Sequence, residues 1–444
     1  MSISVDHPAV LSVIQEHRAP NRWDSAAFLI WYLENYYRLD KEAIDCVCDR
    51  ENDKGVDGIW VNEGDESITI FQSKLIQRST KTIGDSDLRT FAGTLQQFAS
   101  VDGLNAMVSS AGMAQVAALV KRLDLVQKIS TGTYSVRGEF VTNLNIDSNG
   151  KAYLKSAPNV TFIGKAYLEG HYIAALRELP PHATTTFDVR GYACTEYAID
   201  AKTRAIIAPV KGMDLVRLDG ISNQSLFAPN VRGPLGRTAI NKAIVGSVEN
   251  SALHKAFLLF HNGVTIIADK VSLKRGVITA ENYYVVNGCQ SITALFEHRS
   301  KLTRDLRVLA KFISLEKNSP LAATITRFSN NQNGVSDRDF MSNHRMQVRL
   351  QGEVAQLYDG HYYLDIKRGE PVGSGVCISN EDAGLYMMAF DFKEPWATHR
   401  RYQVFRERHG ALFGRPEATA HRIVMLRLLM DGIDKACEGL AARV

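Results

Sequence analysis

Apolar positions in residues 23–38, WDSAAFLIWYLENYYR, recur at helical spacing. Phe28, Trp31, Tyr32 and Asn35 share a face, and Asp24 or Ser25 can cap the start. The period then changes. In residues 49–74, DRENDKGVDGIWVNEGDESITIFQSK, the positions 56, 58–61 and 68–71 are mostly β-branched or aromatic. The polar, glycine-containing stretch 62–67 separates them, which predicts two strands joined by a turn. Helical spacing returns over 87–100 and 111–128, with Phe91, Leu95 and Phe98 on one face of the first. GEFVTNLNI and NVTFIG read as strands, and KAYLKSA and KAYLEGHYIAALREL as helices.

Pro180 and Pro181 interrupt this pattern and mark a boundary between domains at 1–180 and 183–444. The second domain opens with strand character in TTTFDVRGYACTEYAI. Its last portion, from EPWATHRR onward, is mostly helical in pattern and locally basic through Arg400, Arg401, Arg406 and Arg408. Those arginines suit either a phosphate backbone or, more ordinarily, a solvated helix face. The expected class is α/β (α+β): an N-terminal αβ core, then a mixed α+β domain with a helical C-terminal part.

Composition narrows the classes. The 444 residues are 45% hydrophobic and 23% charged, ordinary for a globular protein. A net charge of +4 does not by itself argue for nucleic acid, so any binding charge is local. No run of about 18 apolar residues is present, and the start, MSISVDHPAV, lacks the charged-then-apolar pattern of a secretory signal. The expectation is a cytoplasmic protein with no membrane partner. Among the six cysteines only Cys46 and Cys48 are close, and no second pair completes a zinc site. Buried free thiols in a reducing compartment fit better.

The hairpin carries candidate chemistry. Asp57 stands near the start of one strand, and Gln72 and Lys74, two apart on the next, share a face. An acid, an amide and a lysine on one spot suit metal-assisted phosphodiester hydrolysis: oxygens hold Mg²⁺, and the lysine orients water or meets charge on the phosphate. Asp57 followed by Gln72-Ser73-Lys74 resembles the PD-(D/E)XK nuclease signature in its Mrr-like form. That resemblance implies a restriction-endonuclease-like core, with Asp57, Gln72 and Lys74 catalytic and Asp57 and Gln72 on the metal. Gln72 is neutral where many members have an acid, so another acid must add charge. Glu34 on the preceding helix is the first candidate, with a solvated glutamate as its alternative, and Asp49 and Asp53 are weaker ones. Lys74, Arg78 and Lys81 form a basic cluster that suits backbone phosphates or a solvated loop.

Four polar clusters mark the second domain: LFAPNVRGPLG with Asn241 beyond it, FHNGVTI, VVNGCQS opening the helix SITALFEHR, and RFSNNQN. Amides inside apolar strands must find partners or cost about 1–3 kcal/mol each. One shared hydrogen-bond network or one lined pocket is therefore expected, although Asn and Gly also make ordinary turns and caps. In the third cluster an Asn-Gly turn sets free N–H groups at a helix start, a favourable anion position. Together with HYYLDIKRGE near 361–370, these motifs resemble the AIPR family, named for abortive-infection phage resistance; Pro234 stands where a tyrosine is usual. The matching positions Arg232, Asn241, Asn262, Gly263, Asn287, Gly288, Gln290, Asn331, Lys367 and Arg368 are the candidate ligand- or nucleic-acid-binding residues.

The two resemblances imply a Mg²⁺-dependent DNA endonuclease in antiphage defence, with Mn²⁺ able to substitute. Cutting both strands implies a homodimer or higher oligomer. The alternative is a catalytically weak nuclease fold that senses nucleic acid, a nucleotide or a phage-derived trigger.

Overall fold

Nine consecutive residues, Ala26 to Glu34, are buried in the helix α1 (Asp24–Asn35), which makes it a core helix, apolar nearly all round. It belongs to a computed structural model that describes residues 3–40, 42–48, 55–63, 65–78, 80–174, 183–200, 202–230, 239–315, 319–331, 337–368, 370 and 374–441. The chain divides into two compact units, residues 1–173 with 414–417, and 174–413 with 418–444. Pro180 and Pro181 lie outside the described residues.

The first unit is built on a sheet in the order β1 (Gly58–Asn62), β2 (Ser67–Lys74), β3 (Ser135–Thr142), β4 (Val160–Ile163). The helix α2 (Asp85–Gln96) lies between β2 and β3 in sequence. β1 and β2 are antiparallel, with Gly58 opposite Phe71 and Asn62 opposite Ser67, so the expected hairpin forms. β2 pairs parallel with β3, and β3 with β4. β2 is buried along all but its last residue, as a central strand covered on both faces must be.

Alternation sorts the two covers. Ile70, Gln72 and Lys74 share a face with their β3 partners Gly138, Phe140 and Thr142. α2 packs there, with Phe91 edge-on to Phe140 at 6.0 Å. Phe71, Ser73, Glu139 and Val141 face α1, where Tyr32 donates to Glu139 Oε2 at 2.7 Å.

Local boundaries differ from the sequence pattern in several places, among them the helix expected over KAYLEGHYIAALREL, which ends at His171. Trp23, not Asp24 or Ser25, is the cap residue of α1, and it gives no side-chain cap; Asp24 pairs instead with Arg18 at 2.7 Å. The helical stretch 87–100 becomes α2 and a 3-10 turn, Gln97–Ala99, after which Ser100 caps an unforeseen helix, Val101–Val108. The stretch 111–128 is two helices, Ala114–Arg122 and Leu125–Thr131, broken by Asp124 at φ 51°.

The second unit holds a six-stranded mixed sheet. Its elements in chain order are β5 (Thr184–Asp188), β6 (Thr195–Ala198), β7 (Arg204–Lys211), α3 (Ala239–Glu249), β8 (Val264–Lys274), β9 (Val277–Asn287), α4 (Cys289–Glu297), β10 (Arg307–Ser314) and α5 (Pro320–Asn331). The strand order is β5-β9-β8-β10-β7-β6, and only β8 and β10 run parallel. Beyond it come α6 (Arg345–Tyr358), the short parallel pair β11 (Tyr362–Asp365) and β12 (Val376–Ser379), α7 (Asn380–Phe390) and the long α8 (Ala420–Ala441). The class is thus mixed α+β with a helical C-terminal region, as expected. Among the described residues no helix is long and apolar enough to cross a membrane. All six cysteines are free: Cys46, Cys48 and Cys289 are buried, while Cys377 and Cys437 are exposed.

Close packing of α2 on the sheet rests on Gly138. A Cβ there would sit 2.4 Å from Leu95 Cδ1 and 2.7 Å from Phe91 Cε1. Gly138→Ala should therefore cost about 1–3 kcal/mol through overpacking. Urea unfolding of the purified protein reads this as a lower midpoint at unchanged slope; an unchanged midpoint would contradict the packing argument.

Candidate functional site

Asp57 precedes β1 by one residue and joins Gly58 opposite Phe71, where the ladder begins. Its N–H donates to Phe71 O and its C=O accepts from Cys48 N, both at 2.8 Å. Its Oδ2 accepts from the backbone N–H of Ser73, also at 2.8 Å. The carboxylate is thereby held against the backbone at the end of β2. Ser73 Oγ points the other way and donates to Ser25 O of α1 at 2.8 Å.

Gln72 is 9% exposed, and its Oε1 is buried with no hydrogen-bond partner among the described residues. Its amide nitrogen lies beside Gly55, where a Cβ would come within 2.6 Å of Nε2. Gly55 also has φ +79°, so glycine is required twice over. Lys74 shares the Gln72 face, with its ammonium 2.6 Å from Asp87 Oδ1 and 5.6 Å from the centre of the Phe140 ring. Asp87 stands in the first turn of α2. Sequence reasoning passed over it, although an acid opening the helix after the strand was the available signal. Arg78 and Lys81, just past β2, are exposed.

Glu34 is not brought to this spot. Tyr32 of α1 faces the sheet, and two residues further on Glu34 points about 200° round the helix from it. There its Oε2 lies 3.1 Å from His17 Nε2, and Glu16 Oε1 lies 3.4 Å from the same nitrogen. Burial works to lower the His17 pKa, but the two carboxylates outweigh it and raise it to about 9. Asp49 and Asp53 lie outside the described residues.

In the second unit, three links join the polar clusters around the start of α4. First, His261 Nδ1 accepts from Gly263 N at 2.9 Å, and His261 Nε2 lies 2.6 Å from Ser291 Oγ. The ring stacks on Phe257, and burial lowers its pKa to about 4. A neutral ring whose Nδ1 accepts carries its proton on Nε2, so His261 donates to Ser291 and cannot act as its base. Second, Asn287 at the end of β9 donates from Nδ2 to Ser329 O of α5 at 2.9 Å. Third, Lys367, 3% exposed, donates from Nζ to Phe227 O at 3.1 Å and Ala228 O at 3.2 Å. It also lies near Cys289, whose thiol burial pushes up to about 12 against the pull of the Lys367 charge.

Gly288, at φ +97°, makes the turn into α4, and a Cβ on it would meet Val264 Cγ1 at 2.5 Å. Gly263, at φ +84°, is blocked by Leu309 O at 2.6 Å. α4 has no side-chain cap at Gly288. Asn262 is exposed and Gln290 half-buried. Arg368, itself exposed, reaches the buried Asp339 at 3.5 Å, separate from Lys367's carbonyl contacts. Arg232 lies outside the described residues; Asn241 and Asn331 sit in α3 and α5, but their side chains lie outside them too. Arg401 pairs with Glu381 and Asp382, Arg406 with Asp337 and Arg408 with Glu394, so these three arginines are balanced by acids.

The family model described as AIPR protein matches residues 227–376. The matched segment runs from Phe227 past Lys367 and so contains every link of this network. The match supports the AIPR resemblance there, and with it a role in abortive infection or phage resistance. No curated protein and no solved structure matches the chain.

The His261 geometry has a pH consequence. Its folded pKa, about 4, lies below the ordinary 6.5, so its contribution to stability is complete above pH 6.5 and is lost as pH falls toward 4. Long-range ¹H–¹⁵N NMR should find a neutral Nε2–H tautomer at pH 6. A protonated ring at that pH would contradict the assignment.

Proposed function

We propose that the chain is a Mg²⁺-dependent DNA endonuclease acting in phage defence, with Asp57, Gln72 and Lys74 as its site. The observation that carries the reading is the buried Gln72 Oε1, with no partner among the described residues, next to the Ser73 N–H that holds Asp57. An orphaned buried oxygen costs about 1–3 kcal/mol unless something binds it. A hard cation is what an amide oxygen and a carboxylate on one spot can accept together. The residues present therefore fit the metal, with Asp57 and Gln72 as its protein ligands.

Bound Mg²⁺ supplies a polarised phosphate and a water of lowered pKa. The chain supplies the rest. Ser73 N–H fixes the Asp57 carboxylate before any ligand arrives. Lys74 carries the positive charge that meets negative charge building on the phosphate. In the resting state Asp87 holds that ammonium, and an incoming phosphate competes for it. Arg78 and Lys81, exposed beside the strand end, are placed to hold flanking phosphates. A second unit with an AIPR match then acts as the sensing or DNA-recognising part. Double-strand cutting would need two copies of the site, hence a symmetric dimer.

A sensor without turnover is favoured by a different observation. Three motif clusters meet at the uncapped start of α4, a position suited to an anion. On that reading a nucleotide or nucleic-acid phosphate binds there, and binding depends on Asn287 and Gln290.

Plasmid nicking separates the two. With Mg²⁺ or Mn²⁺ the wild type should cleave, and Asp57→Ala and Lys74→Ala should each lose about 10²–10³-fold or more. Gln72→Glu should lower the Mg²⁺ concentration needed for half-maximal cleavage. Equal cleavage by wild type and Asp57→Ala would sink the nuclease reading.

A further inference from the structure

We infer that Glu16, His17 and Glu34 form a second metal site, one that takes a borderline divalent ion such as Zn²⁺ and pins the N-terminal segment to the back of α1. The inference stands apart from the nuclease reading, because its residues lie on the other side of α1 from the sheet.

Three features of the trio argue for it. One is distance. Oε1 of Glu16, Nε2 of His17 and Oε2 of Glu34 offer one ligand atom each, with all three within 4.8 Å of one another. The nitrogen stands 3.4 Å and 3.1 Å from the two oxygens. Ligands held at about 2.0–2.2 Å from one ion are roughly 3.0–3.5 Å apart at tetrahedral or octahedral angles. The second is orientation. His17 is 7% exposed, and its Nε2 makes no hydrogen bond of acceptable angle to either nearby oxygen. That nitrogen lies within 3.4 Å of both carboxylate oxygens with no hydrogen bond to either, a position a shared ion would fill. The third is burial. Glu34 is 9% exposed, and buried carboxylates are paired or bind metals.

Chemistry and placement then choose the ion and its effect. One imidazole with two carboxylates suits Zn²⁺ or another first-row divalent ion better than Mg²⁺. Glu16 is 56% exposed, which gives the site a solvent side and an entry path. His17 closes the 3-10 turn Gln15–His17, and Glu34 lies in the last turn of α1. An ion between them links two elements that are otherwise separate in the chain, so its binding free energy adds to folding.

The test is calorimetric titration of the metal-stripped full chain with Zn²⁺, in excess Mg²⁺ to occupy sites made of oxygen alone. Wild type should bind one Zn²⁺ at this trio. Glu16→Gln, at an exposed position that leaves the fold intact, should weaken binding by about tenfold or more. His17→Gln and Glu34→Gln should remove it, and Asp57→Ala should keep it. Co²⁺ in place of Zn²⁺ should show visible ligand-field absorption that Glu16→Gln alters. The inference falls if wild type takes up no Zn²⁺ under these conditions. It also falls if Glu16→Gln binds as tightly as wild type, or if Asp57→Ala abolishes the site.

Discussion

Ser73 is the residue on which the first unit's site depends. Its N–H is bonded to the Asp57 carboxylate and its hydroxyl to the Ser25 carbonyl, so one residue ties an acid to the strand end and a helix to the opposite face. Hydrogen bonds to a charged acceptor contribute about 1.5–3 kcal/mol, roughly twice the neutral value. Asp57 spends its backbone N–H and C=O on Phe71 and Cys48 as well, so neither its main chain nor its carboxylate is left to drift. Lys74 is the opposite case. Its ammonium is about one-third exposed and is held by a half-exposed aspartate, an ion pair of the kind that contributes little and breaks readily. On the nuclease reading, a fixed acid and a readily freed lysine at one strand end are the division of labour that a site for a phosphate requires.

The sequence made the hairpin legible because a two-residue period identifies faces without reference to anything else. Gln72 and Lys74 could be set on one face from numbering alone, and Asp57 near them from the turn length. Glu34 failed for the complementary reason. A helix period reveals which side meets the core only when one side is polar, and α1 is buried at every position from Ala26 to Glu34. With no polar stripe to give the phase, an acid on its far side looks the same as one on its near side. His17, the group Glu34 does meet, precedes it by seventeen residues across a turn and a loop, and no local pattern connects them.

The same limit governs the second unit. The clusters announced buried amides that needed partners, and a shared network followed from that need. Which partner each found did not. His261 meets Ser291 and Asn287 meets Ser329, pairings across thirty and forty-two residues that the sheet and the helices after it bring about. Glycine was the better guide. Gly288 and Gly263 each combine a positive φ with a backbone or side chain closer than any Cβ tolerates, and both were singled out from their Asn-Gly setting. Lys367 was singled out too, as a candidate ligand-binding residue; it is a buried strut between the carbonyls of Phe227 and Ala228.

Gln72 remains the position where chemistry and stability pull against each other. A carboxylate there would lie beside Asp57 at 9% exposure, and two acids so placed repel while each loses solvation. Without a cation such a pair raises its own pKa or strains the strand that carries it. An amide avoids both costs, since it is neutral and its nitrogen can lie against Gly55. What it gives up is cation affinity, because a neutral oxygen attracts a divalent ion less than a charged one. The chain therefore keeps a buried, fully formed strand end, and on the nuclease reading it would accept weaker metal binding in return. On the nuclease reading that choice makes metal loading the step most open to control by substrate, whose phosphate brings the negative charge that residue 72 does not.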